Sequence, residues 1–493
     1  MLPIDRRSFM TAGGALALSP VLDRAARAAD APFSWEMVQQ RAAALARRPY
    51  RPAERVAAAE GVDFDAIGAI RFRADRAPAG GIRLFPLGNG STTPVAINVV
   101  ENGRARAVAF SPELFEGKGP VAPGFAGFRA MEPGRESDWL AYLGASYFRA
   151  AGSQDQYGLS ARGIAIDTGV DGREQFPRFT DFWIEPIAGG GHTIYALLDG
   201  ESVTGAYRFV SRREGGVVQD VSVVLHLRRD VARLGIAPAT SMFWYDDRVQ
   251  RGASDWRPEI HDSDGLALLT AAGERLWRPL RNPAAPVTDS FAAQDVRGFG
   301  LIQRDRAFDH YQDDGAFYDR RPDLWVEPQG RWGAGNVMLY AFPTTGETVD
   351  NVAAFWVPAA PVKAGQRLRY DYRLRWTSQD PSADRGARVV EARVGSAGRP
   401  GGAVTAGARK LVVDYQGDGL VGLTRDSGVT ADIVVARGRL LTSAAYPVAG
   451  QRDRWRVTAD IAPEAGATAD VRLFLKRGEA ALGETLLFPL DLT

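Results

Sequence analysis

Arg367-Leu368-Arg369-Tyr370-Asp371-Tyr372-Arg373-Leu374-Arg375-Trp376 alternates charged and apolar side chains without a break. A β-strand turns successive side chains to opposite faces. This stretch therefore reads as a strand with one apolar face and one face that is solvated or salt-bridged. Val221, Val223, Leu225 and Leu227 alternate in the same way with Ser222, His226 and Arg228, Val224 being the one break. From about Ile70 onward the chain continues as short strands between Gly, Pro, Asp and Asn turns. One helix is expected near the start, with Ser34 as its cap, Trp35, Val38, Ala42 and Leu45 on one face, and Pro49 and Pro52 ending it. So many strands and so few helical stretches predict an all-β antiparallel architecture, a sandwich or supersandwich.

A chain of 493 residues is too long for one ordinary core, so two domains are expected. The polar run from Thr377 to Gly386 has no apolar periodicity and reads as a linker, residues 377–386. It separates a large domain, residues 33–376, from residues 387–493. In the latter, strands are expected around Leu411–Tyr415, Ile433–Val435, Trp455–Ala459 and Val471–Leu475. Their size and spacing are immunoglobulin-like, without a disulfide.

Net charge is +1, so no overall field draws in nucleic acid or an anionic membrane. The basic residues are nearly all arginine and are scattered, as in a protein from a GC-rich genome; lysine occurs only at 118, 363, 410 and 476. Cysteine is absent, which excludes disulfides, thiol catalysis and cysteine metal sites. At the N-terminus Arg6 and Arg7 precede Ser8-Phe9-Met10, an apolar run from Ala12 to Leu18 and a small-x-small site at Ala26-Arg27-Ala28. Residues 1–28 thus read as a twin-arginine signal peptide for export to a periplasm, with an apolar stretch too short to span a bilayer.

The chemistry-bearing residues concentrate between His261 and Asp350. This window holds His261-Asp262-Ser263-Asp264-Gly265, Gly298-Phe299-Gly300, the run from Arg304 to Asp313, Arg320-Arg321-Pro322-Asp323-Leu324-Trp325, and Thr344 to Asn351. Carboxylates beside aromatic rings suit sugars, and glycosidic bonds are cleaved by paired carboxyl groups. Each motif also has a plainer reading. Asp262 and Asp264 would share one face of a strand, or serve as backbone caps in a turn. Asp305, Asp309 and Asp313, spaced by four, read as a helical face or a salt-bridged loop. Tyr318, Trp325, Trp332 and Trp356 are sugar platforms or core. The four histidines, His192, His226, His261 and His310, show no ligand spacing, so no metal is expected. No glycine-rich phosphate loop or serine nucleophile elbow is present, so no nucleotide cofactor and no serine esterase is expected.

Longer motifs tip these balances. They include the run Leu143 to Ala150, Gln156 to Thr168, Tyr195 to Asp199, Gly205-Ala206-Tyr207 and Gly235-Ile236-Ala237-Pro238. With the His261 motif, Gly298-Phe299-Gly300, Phe308 to Asp313 and Leu324 to Pro328, they occur in one order from about Phe33 to Trp376. In these the chain resembles the periplasmic glucan biosynthesis family OpgG/OpgD, and its paired-arginine start is more similar to the OpgD branch. The chain departs from the family at Pro86, where the family usually has histidine, and its C-terminal domain is short.

The resemblance implies a galactose-mutarotase-like N-terminal β-sandwich joined to a small immunoglobulin-like one. It implies a role in making osmoregulated periplasmic glucans with a β-1,2-linked backbone, some members being inverting β-1,2-glucanases. The family's two essential aspartates fall on Asp262 and Asp350, and its cleft glutamate and tyrosine on Glu347 and Tyr318. Asp350 is assigned as general acid and Asp262 as base. Trp325 or Trp356 is expected to add an aromatic wall. The implied partners are β-1,2-glucan, a membrane glucan glucosyltransferase and, during export, the twin-arginine translocase; no cofactor is implied. The alternatives are a non-catalytic glucan-binding protein that organises nascent chains and, by fold analogy alone, an aldose epimerase.

Overall fold

The strands Val217–Leu227 and Arg367–Thr377 lie antiparallel, in unbroken register from Val217 opposite Trp376 to His226 opposite Arg367. The computed structural model describes residues 30–78, 80–248, 255–383, 386–399, 401 and 406–490. The expected signal peptide, residues 1–28, lies outside them. Along Arg367–Thr377 the alternation does what its pattern requires. Tyr372, Leu374 and Trp376 are buried. On the other face Arg373 pairs with Asp220 at 2.7 Å and Arg375 with Glu327 at 2.7 Å.

These strands sit in the middle of a 16-stranded sheet. A ten-stranded sheet covers it, and aromatic side chains from the two interlock: Phe128 with Phe182 at 5.1 Å, Tyr142 with Phe209 at 5.5 Å, and Phe148 with Trp376 at 6.3 Å between ring centres. The protein is all-β, with its main core between two facing sheets. The expected helix is present as Trp35–Ala46, and Ser34 accepts a hydrogen bond from the Met37 N–H at 3.2 Å. Among the described residues no helix is long and apolar enough to cross a membrane.

The C-terminal strands divide between two sheets. Arg388–Ser396, Arg409–Gln416, Arg454–Pro463 and Gly438–Pro447 form a separate four-stranded sheet. Val429–Ala436, Ala469–Arg477 and Thr485–Leu490 extend the long sheet instead, through a parallel pairing of Leu276 and Trp277 with Thr485 and Leu486. A second core lies here, and it includes Trp277, Ile302 and Trp325 from the N-terminal part. Arg304 crosses the same junction. It donates to both oxygens of Glu484 at 2.6 and 2.9 Å, and its guanidinium lies 3.5 Å from the Trp277 ring centre.

The Gly298-Phe299-Gly300 motif has a steric cause. A Cβ on Gly298 would meet the Trp325 ring at 2.3 Å, and one on Gly300 the Leu324 carbonyl oxygen at 2.2 Å. Pro86 is buried where the strand Ile82–Leu87 shifts register against Ala122–Met131, a bulge that tolerates the missing N–H.

Candidate active site

Asp350 ends the loop that opens the strand Val352–Pro358 of the ten-stranded sheet. The next residue anchors it. The amide of Asn351, fully buried, donates to the Phe243 and Phe342 carbonyls, each at 3.0 Å, and accepts the Phe243 N–H at 2.8 Å. With that loop end held, Asp350 meets Ser160 and Thr240, which face each other on paired strands and share a hydrogen bond of 2.6 Å. Both hydroxyls also lie against one Asp350 carboxylate oxygen, Ser160 at 3.1 Å and Thr240 at 3.3 Å, so whichever of them donates to the other leaves the other free to donate to Asp350. Asp350 is accessible to water yet closely ringed by protein, the setting of a group inside a cleft. That surrounding protein pushes its carboxyl above the usual carboxylate range, and the nearby charge of Asp262 adds to the shift.

Asp262 reaches the site from the other sheet. It lies in the connection between Ile260–His261 and the strand Gly265–Leu269 of the long sheet, and its own N–H donates to Met242 at 2.8 Å. Its carboxylate is nearly buried and pairs with Arg321. The Arg321 guanidinium also covers the Tyr318 ring at 3.8 Å and donates to the Ala316 carbonyl at 3.3 Å. The Tyr318 hydroxyl donates to Glu347. Glu347 accepts a two-point contact from Arg257 at 2.9 and 3.0 Å, and Arg257 also holds Asp313 at 2.6 Å. The Arg257 fork is the main reason the Glu347 carboxyl lies below its usual range. Asp262, Tyr318 and Glu347 are thus linked in one group through Arg321, the tyrosine hydroxyl and Arg257, and Asp350 lies near enough for the charge of Asp262 to act on it.

The two tryptophans are not part of this group. Trp325 is buried in the second core beneath Gly298 and Gly300. Trp356 is buried against Trp332 at 5.1 Å, its ring filling the space over Gly335. Neither has a face to offer a sugar, so the expectation of a tryptophan wall is corrected. The carboxylates of Asp262 and Asp264 also part company, because residues 262–264 leave the strand. Asp264 accepts the backbone N–H groups of Arg304 and Asp305, the latter at 2.7 Å. Sequence reasoning missed Ser160, Thr240, Arg257 and Arg321. Ser160 and Arg321 lay inside quoted motifs, whereas nothing in the sequence marked Thr240 or Arg257.

Behind the Asp262 loop His261 is fully buried. Its Nε2 meets Glu259 at 2.9 Å and its Nδ1 meets the Gln303 carbonyl oxygen at 3.2 Å. Gln303 Nε2 is occupied by the Tyr311 hydroxyl and the Tyr318 carbonyl, so both imidazole nitrogens face acceptors and both must donate. Burial alone would lower its pKa, but Glu259 and Asp264 more than offset this and raise it to about 9.

Further out, Glu259, Asp305 and His310 bring ligand-type atoms within 4.8 Å of one another. They line a 390 Å³ cavity that also touches Asp264 and Arg393 but neither Asp262 nor Asp350. Each already has a protein partner, Glu259 in His261 and Asp305 in His310 at 2.5 Å.

The family model for periplasmic glucan biosynthesis protein, MdoG, matches residues 33–490. The chain belongs to this family. It is 44% identical over 516 residues to glucans biosynthesis protein D 1 of Ralstonia nicotianae, covering 96% of each chain. It is 42% identical over 489 residues to glucans biosynthesis protein D 2 of the same organism, covering 93% of this chain and 90% of the relative. A third relative, glucans biosynthesis protein D of Stenotrophomonas maltophilia, is 41% identical over 478 residues, with 93% and 89% covered. Family membership gives the chain a role in glucan biosynthesis. The match runs through both the long sheet and the C-terminal strands.

Proposed function

We propose that the protein matures periplasmic glucan by acting on its β-1,2-linked backbone, as an inverting glycoside hydrolase or transglycosylase. Asp350 protonates the departing glycosidic oxygen, and Asp262 receives the proton of the attacking water or hydroxyl, directly or through a bridging hydroxyl. The observation that carries this reading is the contrast between the two carboxyls. Asp350 is pushed up by its surroundings and by Asp262, as a proton donor requires, whereas Asp262 is the carboxylate of an ion pair with Arg321. Tyr318 and Glu347 hold the Arg321 side of the cleft and offer polar groups to sugar hydroxyls. The periplasm is its place of work, reached by the twin-arginine route in the manner of the D branch. A membrane glucosyltransferase supplies the nascent chain.

The deciding experiment incubates the mature protein with linear β-1,2-glucan and follows new reducing ends, product length and anomeric form. Cleavage or transfer supports the reading. Tight binding without turnover would replace it with a glucan-binding role, and interconversion of the anomers of free sugar with an epimerase. Replacing Arg6 and Arg7 by lysine tests the route: precursor should stay in the cytoplasm, because that pathway reads the arginine pair and not charge alone.

A further inference from the structure

The strand Ser160–Arg162 carries Ser160, which touches Asp350, and Arg162 two residues on. Side chains two apart share a face and are separated by about 6.6 Å along the strand. Arg162 faces Tyr147 across the neighbouring strand in register. Its guanidinium lies between two rings, 4.8 Å from the centre of Tyr147 and 5.3 Å from that of Phe176. Phe176 is 52% exposed, so part of its ring is open to solvent beside Arg162. Only one guanidinium nitrogen of Arg162, Nη1, has a hydrogen-bonded partner among the described residues, Glu174 at 3.0 Å. Its Nε is enclosed by protein and has no partner among the described residues, as is true of the Nε of Arg208, Arg228, Arg304 and Arg454.

We propose that Tyr147, Arg162 and Phe176 form a glucosyl-binding subsite next to Asp350, in which Phe176 lies against the apolar face of a pyranose ring and Arg162 donates to its hydroxyls. The inference rests on the proposed action on β-1,2-glucan and deepens it. It supplies the aromatic surface that buried Trp325 and Trp356 cannot.

The test measures binding without turnover. Asp350→Asn serves as the parent, and its affinity for linear β-1,2-glucan is read by calorimetry. Adding Phe176→Ala should weaken the Kd about tenfold, the equivalent of about 1.4 kcal/mol. Phe176→Trp should retain the affinity of the parent. Val434→Ser, which removes another exposed apolar side chain from a C-terminal strand, is the control and should change nothing. In the wild-type background Phe176→Ala should raise KM for the glucan. Unchanged affinity and KM in Phe176→Ala, with wild-type turnover intact and matched melting curves, overturn the subsite alone. Absence of both binding and turnover in the unaltered protein overturns the glucan reading and the subsite together.

Discussion

Arg321 lies with its guanidinium 3.8 Å from the Tyr318 ring centre while it pairs with Asp262. One side chain thereby fixes both the proposed base and the tyrosine that reaches Glu347. The pair is mostly buried, and removing one partner of such a pair strands the other charge in a poor solvent. Arg321→Gln alone should therefore destabilise the fold by about 3–5 kcal/mol. Combined with Asp262→Asn, it should cost clearly less than the sum of the two single changes. Urea melts of the four proteins measure the coupling. Strict additivity would mean that the pair does not hold the loop.

Asp262→Asn and Asp350→Asn should each abolish turnover on β-1,2-glucan. Asp350→Asn should melt near the wild type, whereas Asp262→Asn, which leaves the Arg321 charge without its partner, should still fold but melt lower. Each is nearly isosteric and removes a titratable carboxyl. The expected loss is about a hundred- to ten-thousand-fold, the range of a general acid or base. Wild-type rates in either variant would sink the two-aspartate mechanism.

The hydroxyls of Ser160 and Thr240 make a directional prediction. The pair presents a donor to Asp350 and pulls its carboxyl down against the upward push of its surroundings and of Asp262. Thr240→Val, or Ser160→Ala, removes one donor, so the folded-state pKa of Asp350 rises further. An acid must be protonated to act, so the alkaline limb of the kcat/KM profile should move to higher pH. A limb that stays in place or moves down would remove Asp350 from the acid role.

Much of the architecture was written in two-residue periodicity. Arg367 to Trp376 announced a strand with a charged face, and that face is an ordered row of ion pairs with Asp220 and Glu327. Local pattern could not say that C-terminal strands add to the long sheet, because that depends on the pairing of residues over two hundred positions apart, Leu276 with Thr485. Asp262, Glu347 and Asp350 were singled out by the resemblance to the family's motifs, since their residue types alone left plainer readings open. The tryptophans misled because an aromatic near an acidic motif looks alike whether it faces a sugar or a glycine. The deciding signal was present in Gly298 and Gly335, whose missing side chains make room for Trp325 and Trp356.

That correction has its own test. Trp325→Ala should lose stability by about 3–5 kcal/mol, the cost of emptying a large buried aromatic site. If the shortened protein still folds at low temperature, its affinity for β-1,2-glucan should match the wild type. A stable variant with impaired binding would return Trp325 to the cleft.

The last prediction concerns pH and fold stability. His261 donates from both ring nitrogens, to Glu259 and to Gln303, and its pKa rises from an ordinary 6.5 to about 9 in the folded protein. Burial pushes the Glu259 carboxyl up, and its hydrogen bond and attraction to His261 act against that push. On the imidazole side Asp264 and Asp246 join Glu259 in favouring the cation. A histidine whose folded pKa exceeds its unfolded value binds its proton more tightly when folded. Its contribution is complete below about pH 6.5 and is lost as pH rises through about 9. The wild-type Tm should therefore fall more steeply than that of His261→Gln between those limits, the two curves converging at the alkaline end. Because Gln303 also holds the Tyr318 carbonyl, turnover should decline over the same interval as this support loosens. Parallel Tm curves for the two proteins would show that His261 is neutral in the fold, leaving one of its nitrogens facing an acceptor without a proton to share.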